Sequence, residues 1–376
     1  MSAIYKKLEE VCEILDSRRV PITAKNRKTG IYPYYGANGL QDYVAEYIFD
    51  DELVLLAEDG GNFGSKERPI AYRVSGKCWV NNHAHVLKAK PLVNADYLCY
   101  ALMFYDTEGL VNGATRQKLT QTAMRQMMIP YRNMTEQLQI ADEINQVIRL
   151  IDKRKEELSL LDQLVKSRFI ELFGDMYLNS LEWTEVSLES ISDIVSGITK
   201  GRKIKTAELR EVPYMAVSNV KNGYIDWTTV KTIEVTEQEL NQYRLLPDDV
   251  LMTEGGDPDK VGRGAIIREP LENCIHQNHI FRVRFNERDI LPVFFAEYLQ
   301  HQRAKRYFLG CAKQTTGIAS INMKQLRNLP VLMPPLELQR QFAAFVAQTD
   351  KSKYLFYRLE HIRNNFNAML EFYMGG

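Results

Sequence analysis

Two stretches of the chain carry apolar residues at alternating steps of three and four. From Met134 to Phe173 these are Ile140, Ile144, Val147, Ile151, Leu158, Leu161, Val165 and Leu172. From Leu336 to Met374 the stripe is Leu355, Leu359, Ile362, Phe366, Met369 and Tyr373. A stripe of this period over several heptads predicts a helix packed lengthwise on another helix. Arg154 and Arg168 interrupt the first stripe, and Thr349, Ser352 and Lys353 blur the second. These residues read either as tolerated polar packing or as groups that fix register or dock a partner.

Each stripe follows a globular-looking stretch. In the first, the pattern predicts a short helix over Leu8 to Leu15 and a basic turn holding Lys25, Arg27 and Lys28. A loop or turn follows at Tyr32 to Gly39, then a buried strand over Asp51 to Ala57 and a mobile glycine loop over Glu58 to Gly64. A further strand over Cys78 to Lys88 contains Asn82, His83 and His85. A helix over Tyr97 to Phe104 comes next, and Thr120 reads as the cap of a last short helix. The second stretch repeats this plan. Leu188 answers Leu8, Pro213-Tyr214 answers Pro33-Tyr34, and Glu254-Gly255-Gly256 answers the glycine loop. Asn278-His279 answers Asn82-His83, Asn322 answers Thr120, and Gln339 answers Gln137. The boundaries are 1–133 for the first globular domain, 134–173 for the central helix and 174–186 for a linker anchored by Trp183. The second globular domain is 187–335 and the C-terminal helix 336–376. The fold class is α+β: two globular α/β domains and two long coiled-coil helices, with an internal pseudo-two-fold repeat. The linker is too short for parallel packing, so the two helices are expected to run antiparallel. At about 1.5 Å per residue each would be about 55–60 Å long, more than the roughly 34 Å of one turn of duplex DNA.

Composition narrows the class. The chain has 376 residues and a formal net charge of zero, so any nucleic-acid surface must be local rather than a global field. Five cysteines are scattered with no C-x-x-C, as in a reducing cytoplasm. No signal-like start and no apolar run of about 18 residues is present, so a cytoplasmic protein without membrane contact is expected.

The chemistry that is missing also informs. There is no phosphate-cradling G-x-x-x-x-G-K-[ST] loop, no lysine with a carboxylate two residues before it, and no [DNS]-Pro-Pro-aromatic turn of the kind that grips a flipped base. No catalysis is expected from this chain alone. Cys78, His83 and His85, with Cys274, His276 and His279, offer metal-ligand types. Each set lacks a fourth ligand, and alternation along a strand would split it between faces. Hydrogen bonding to nearby loops is the plainer use of Asn82-His83 and Asn278-His279. Their tips also suit base edges or phosphates. A hydrolase site at these histidines is a further reading with no paired nucleophile and base behind it. Lys260 and Arg263 in the second glycine loop, and Lys200, Arg202 and Lys203, read as solvated turns or as phosphate contacts. Tyr34 and Tyr35 read as core or as groove contacts.

Several short runs together resemble a known family. They are Tyr32 to Gly39 (YPYYGANG), Trp79 to His83 (WVNNH), Glu254 to Lys260 (EGGDPDK) with Gly262 to Gly264, and His276 to His279 (HQNH). Gln314 to Gly317 (QTTG) and Pro334 to Gln339 (PPLELQ) complete the set. In this order and twice over, the chain resembles the specificity subunit of type I restriction-modification systems. Two departures are minor: Ile129-Pro130-Tyr131 stands where a Pro-Pro pair is usual, and Leu338 replaces a common acidic residue. The resemblance implies two target recognition domains, each reading half of a split sequence in double-stranded DNA, with the helices setting the spacer. It implies two docked methyltransferase subunits and restriction-translocase subunits, and places S-adenosylmethionine, ATP and magnesium on those partners rather than on this chain. The DNA-contact candidates are Lys28, Tyr34, Tyr35, Asn38, Asn62, Asn82, His83, Arg116 and Lys118 in the first domain. In the second they are Lys200, Arg202, Lys203, Asn219, Lys260, Arg263, Asn278, His279, Gln314 and Thr315. The competing reading is a coiled-coil scaffold that binds proteins and no DNA.

Overall fold

The computed structural model describes residues 4–113, 116–202, 208–257, 260–286, 288–315, 318–357 and 359–374, without the side chains of 314, 315, 318, 354–357, 359–365 and 367. The chain divides into two compact units, Met1–Glu156 with Phe356–Gly376, and Glu157–Leu355. Among the described residues no helix is long and apolar enough to cross a membrane.

Unit 1 is built on a six-stranded sheet. From edge to edge its strands are Cys12–Ile14, Ala84–Ala89, Phe49–Ala57, Ala71–Val80, Thr29–Gly36 and Gly39–Val44. Neighbours are antiparallel except for the pair Tyr34↔Trp79 and Tyr35↔Val80. Residues Leu53 to Ala57 are all buried, as a strand covered on both faces should be. Helix Ala95–Met103 packs on the sheet, and the Asn94 side chain caps it by accepting from the Tyr97 N–H.

Three local expectations are corrected. The helix at Leu8 stops at Val11, and Cys12–Ile14 leaves it as an edge strand. The tyrosine run is a strand of a β-hairpin and only its tip is a turn, closed through Gly39 at φ 106°, a conformation in which a Cβ would clash with its own backbone. The span from Cys78 to Lys88 is two strands. Between them Asn81 turns the chain, its side chain accepting from the His83 N–H at 2.8 Å.

Unit 2 holds a four-stranded sheet ordered Ser192–Ser196, Ile280–Phe285, Val250–Thr253, Gly264–Ile266. A three-stranded sheet joins Lys231–Val235, Arg210–Met215 and Ile275–His276, and a small one joins Gly255–Gly256, Ile318–Ser320 and Lys313–Thr315. The repeat holds at the level of pairing. Strand Ile4–Lys7 pairs with Met128–Tyr131, as Thr184–Ser187 pairs with Pro330–Met333. The parallel contact Tyr34↔Trp79 has its counterpart in Tyr214↔Ile275. Thr120 and Asn322 both cap their short helices, accepting from Ala123 N and Gln325 N.

A buried glutamine fixes the start of each long helix. Gln137 accepts from Asn94 N at 2.8 Å and donates to Arg132 O at 2.8 Å; Gln339 accepts from Leu291 N at 2.8 Å and donates to Pro334 O at 2.8 Å. Each therefore ties the helix to the loop ahead of another helix and satisfies backbone groups that water cannot reach.

The central helix is Met134–Phe173, as its stripe predicts. The C-terminal stretch is described as helices Leu336–Tyr357 and Leu359–Met374; the side chains of Leu355, Leu359 and Ile362 lie outside the described residues. In unit 1, Ile140 and Ile144 pack with Phe366 and Leu370. In unit 2, Phe169 and Phe173 lie 5.2 and 5.8 Å from Phe342, ring to ring, while Asp162 meets Lys353 at 2.6 Å. Moving forward along one helix moves backward along the other, so the packing in unit 2 is antiparallel. The polar interruption is also explained. Thr349 donates to Phe345 O one turn back, and Lys353 pairs across the helices. Trp183 anchors the linker by donating its indole N–H to Phe173 O at 2.9 Å.

Candidate nucleic-acid interface

The same three segments meet in each unit. In unit 1, Glu58 N donates to His83 O at 2.8 Å and Leu119 N donates to Glu58 O at 2.7 Å. In unit 2, Glu254 N donates to His279 O at 3.0 Å and Ile321 N donates to Glu254 O at 2.8 Å. The start of the glycine loop, the Asn-His turn and the polar segment before the short helix are thus joined by matching backbone bonds. A side-chain contact repeats as well. His83 Nδ1 lies 2.6 Å from Asp59, and His279 Nδ1 lies 2.5 Å from Glu254. A contact this short to a carboxylate favours the tautomer with its proton on Nδ1. The carboxylate is supplied one position later in unit 1 than in unit 2, yet it reaches the equivalent imidazole.

Unit 1 pairs cations with acids here. Arg116 meets Asp59 at 2.6 Å, and Lys118 meets Glu58 at 3.0 Å. Asn38, at the tip of the hairpin, donates to Gly60 O at 3.0 Å. Below them lies a buried network in which Arg19 bonds Glu58 at 2.6 Å and His85 Nδ1 meets Asp16 at 2.6 Å. Burial raises the Glu58 carboxyl, but hydrogen bonds from Arg19 and Lys118 outweigh it and hold it below its ordinary value. Asp16 is held low in the same way, burial being outweighed by His85 and the Val86 N–H. Asp16, Glu58 and His85 are the one group of metal-ligand types within reach of one another among the described residues. Arg19 already occupies the space between the two carboxylates, so the group reads as a compensated charge network. The cysteines take no part: Cys78 and Cys274 are buried, with thiols pushed up by burial to about 11 and about 12.

The other candidates separate by burial. Tyr34 is in the core, its hydroxyl donating to Ile22 O and its ring under Arg27, so it offers no surface to a base. Asn219 is fully buried and holds its own loop through Ala216 N, Asp226 O and Thr229 O. Arg202 is committed to Glu239 through two bonds of 2.5 and 2.7 Å and to Glu234 O. In the structure Tyr34 and Asn219 are therefore buried and Arg202 is ion-paired. Tyr35 is half-buried against Tyr72, and Asn62 shapes the glycine loop through Pro69 O. Lys28 is exposed at the end of the hairpin opposite Asn38, and Asn82 is exposed on the Asn-His turn.

In unit 2, Asn278 N donates to Ile198 O, and Lys200 is exposed two residues beyond Ile198. Lys260 is exposed and ion-paired with Asp257, while Arg263 has an Nε with no partner. Lys203 and the side chains of Gln314 and Thr315 lie outside the described residues. Sequence reasoning missed the carboxylates Glu58, Asp59 and Glu254. Their signal was present: in both halves an acid precedes a double glycine at a near-constant distance from Asn-His.

Two α+β units thus present one backbone junction twice. The family described as the type I restriction modification DNA specificity domain matches residues 4–160 and again 180–358, and the chain belongs to that family. A Haemophilus influenzae protein named as a type I restriction enzyme specificity subunit is 38% identical over 136 residues, covering 36% of this chain and 35% of that one. The specificity subunit of the type I restriction enzyme EcoKI of Escherichia coli K12 is 21% identical over 313 residues, covering 79% and 67%. This chain thus spans about a third of the first relative's length and two thirds of the second's. The crystal structure of a type I restriction-modification S subunit from M. genitalium shares the fold, with a TM-score of 0.58 at 16% identity over 98% of this chain and 96% of that one.

Proposed function

We propose that this chain is the DNA-reading subunit of a type I restriction-modification complex, in which each unit recognises one half of a bipartite target. The observation that carries this is the repeated junction. Its backbone scaffold is the same in both units, but the side chains on it differ: Arg116 and Lys118 in unit 1 stand where Ile318 and Ser320 stand in unit 2. One scaffold with two sets of contacts is what reading two dissimilar half-sites requires.

The helices set the spacer. A straight helix of 40 residues is about 60 Å long, more than the roughly 34 Å of one duplex turn. The central helix also leaves Leu160 and Leu164, one turn apart, half exposed on its outer face, which suits docking of methyltransferase subunits. Two methyltransferase subunits and the restriction-translocase subunits supply adenine methylation, translocation and cleavage, with S-adenosylmethionine, ATP and magnesium bound on those partners. Residues 187–335 of the chain in its methyltransferase complex would be exchanged for those of a relative, and the methylated adenines sequenced. The expected result is a new second half-site with the first half and the spacer retained. Change in both halves, or in neither, refutes the modular reading, and a complex that shifts no DNA in a gel leaves the scaffold alternative.

A further inference from the structure

We propose that Arg116 reads a base edge, a guanine in the half-site of unit 1, and that Asp59 and His83 are positioning residues for it; this rests on the reading of the chain as a DNA-binding subunit. Four observations single out this arginine. Its side chain is 59% exposed, whereas Arg19, the other arginine of the junction, is 13% exposed and spends its donors on Glu58, Asp16 O and Ala84 O. Arg116 Nη2 donates to Asp59 Oδ1 at 2.6 Å, and Asp59 is itself only 17% exposed. His83 Nδ1 lies 2.6 Å from the same oxygen and 3.3 Å from Nη2, so the carboxylate is clamped from two sides. The guanidinium lies across Gly60, where a Cβ would come within 3.3 Å of Nε. Gly60 has φ +63°, and this bare backbone lets the planar group settle.

The pairing decides what the arginine can recognise. A phosphate attracts net positive charge and tolerates any orientation of the cation. An arginine held on a sheltered carboxylate presents little net charge, so it is a poor phosphate anchor. It keeps its remaining N–H donors in one fixed plane: one Nη2 hydrogen is taken by Asp59, and whichever it is, the other lies beside a hydrogen of a neighbouring guanidinium nitrogen. That fork matches the O6 and N7 acceptors of guanine in the major groove. Lys260 is the contrasting case. Its partner Asp257 is exposed and three residues away, so that ion pair is weak and fixes no plane of donors. In unit 2, no arginine among the described residues pairs with Glu254 or His279. The equivalent junction there is therefore expected to read its bases by other means.

The test uses the chain in complex with its methyltransferase partners. Duplexes carrying the methylated site, with each base pair of both halves substituted in turn, serve as probes. Arg116→Ala should lose about 5- to 150-fold of discrimination at a single G·C pair of the first half, the range a bidentate contact provides, with the second half unaffected. The slope of log K against log salt should not change. Asp59→Asn should relax the same pair and steepen the salt slope by up to about 0.9, because the released guanidinium becomes free to bind a phosphate. A purely structural role for Asp59 would not steepen it. Uniform weakening of Arg116→Ala at every position, with a slope shallower by about 0.9, would make Arg116 a phosphate contact and overturn the inference. So would an unaltered preference at every G·C pair. The parent complex is the control. If it methylates no bipartite site, the reading of the chain as a DNA reader fails, whereas bipartite methylation with unchanged first-half preference removes Arg116 alone.

Discussion

Gln339→Ala would test how the helices are joined to the domains. The side chain is fully buried and holds three backbone groups: Leu291 N at 2.8 Å, Pro334 O at 2.8 Å and Asp289 O at 3.5 Å. Alanine would leave the Leu291 N–H and the Pro334 carbonyl without partners in a site closed to water. Each buried orphan costs about 1–3 kcal/mol; the third, longer bond adds little. The expected loss is therefore about 3 kcal/mol, with partial collapse of the site as the main source of spread. Because the chain has two units, a single global transition is the wrong readout. Native-state hydrogen exchange measures the opening energy of each amide separately. Protected amides of strands Val250–Thr253 and Ile280–Phe285 should lose about 3 kcal/mol, roughly a 150-fold faster exchange. Gln137→Ala should do the same to strands Phe49–Ala57 and Ala71–Val80, since its bonds to Asn94 N and Arg132 O are of equal length. A loss below about 1 kcal/mol would refute the argument, because it would mean that water or a rearranged loop satisfies these groups at little cost.

Other outcomes follow from the same geometry. Burial pushes His276 down to about 4 from its ordinary 6.5, against the opposing pull of the Val195 and Tyr243 carbonyls. The unfolded chain then takes up its proton first, so unit 2 should lose up to about 3 kcal/mol as pH falls from about 6.5 to about 4. His276→Gln should flatten that dependence relative to the parent in urea titrations at several pH values; identical profiles would show that this imidazole is not the source. Arg202→Ala should lower stability by about 1 kcal/mol, the partly exposed pair with Glu239 being lost, and leave DNA affinity of the complex within twofold. A tenfold loss of affinity at unchanged stability would return Arg202 to the interface. Arg263→Ala should weaken DNA binding and reduce the salt slope by about 0.9, and Lys260→Ala by less, since Asp257 already offsets part of that charge. An Arg263→Ala salt slope equal to the parent's would remove the residue from the phosphate path.

The long helices and the repeat were legible because each rests on a period or on a residue that recurs, and the antiparallel packing followed from the short linker. The stripe gave the bounds of Met134–Phe173, and Gln137 with Gln339, or Thr120 with Asn322, marked equivalent positions without any fold in hand. The hairpin at Tyr32 was not legible, since tyrosine, proline and glycine signal a turn equally well, and only pairing with Val44 and Trp79 makes it a strand. Burial of Tyr34 and Asn219 depended on partners such as Ile22 and Thr229 that local composition does not announce. The Arg202–Glu239 pair joins residues far apart in sequence, which no local pattern shows. At the junction, sequence reasoning favoured the cations and amides and passed over the acids. The acids matter because they decide which cations remain available to a ligand.

The pairing of strand Ile4–Lys7 with Met128–Tyr131 has a topological consequence. Lys7 faces Met128, and in unit 2 Ser187 faces Pro330. Cross-strand partners sit about 5 Å apart, so the chain enters and leaves each globular segment at one point. Everything between is an excursion from a two-stranded stalk that leads directly into a long helix. A segment whose ends already touch can be lengthened or exchanged without moving the stalk, provided the replacement keeps the backbone contact that Asn94 makes to Gln137. Genetic exchange of such a segment carries little risk to the rest of the chain, which allows rapid change in what is bound while what is assembled stays the same.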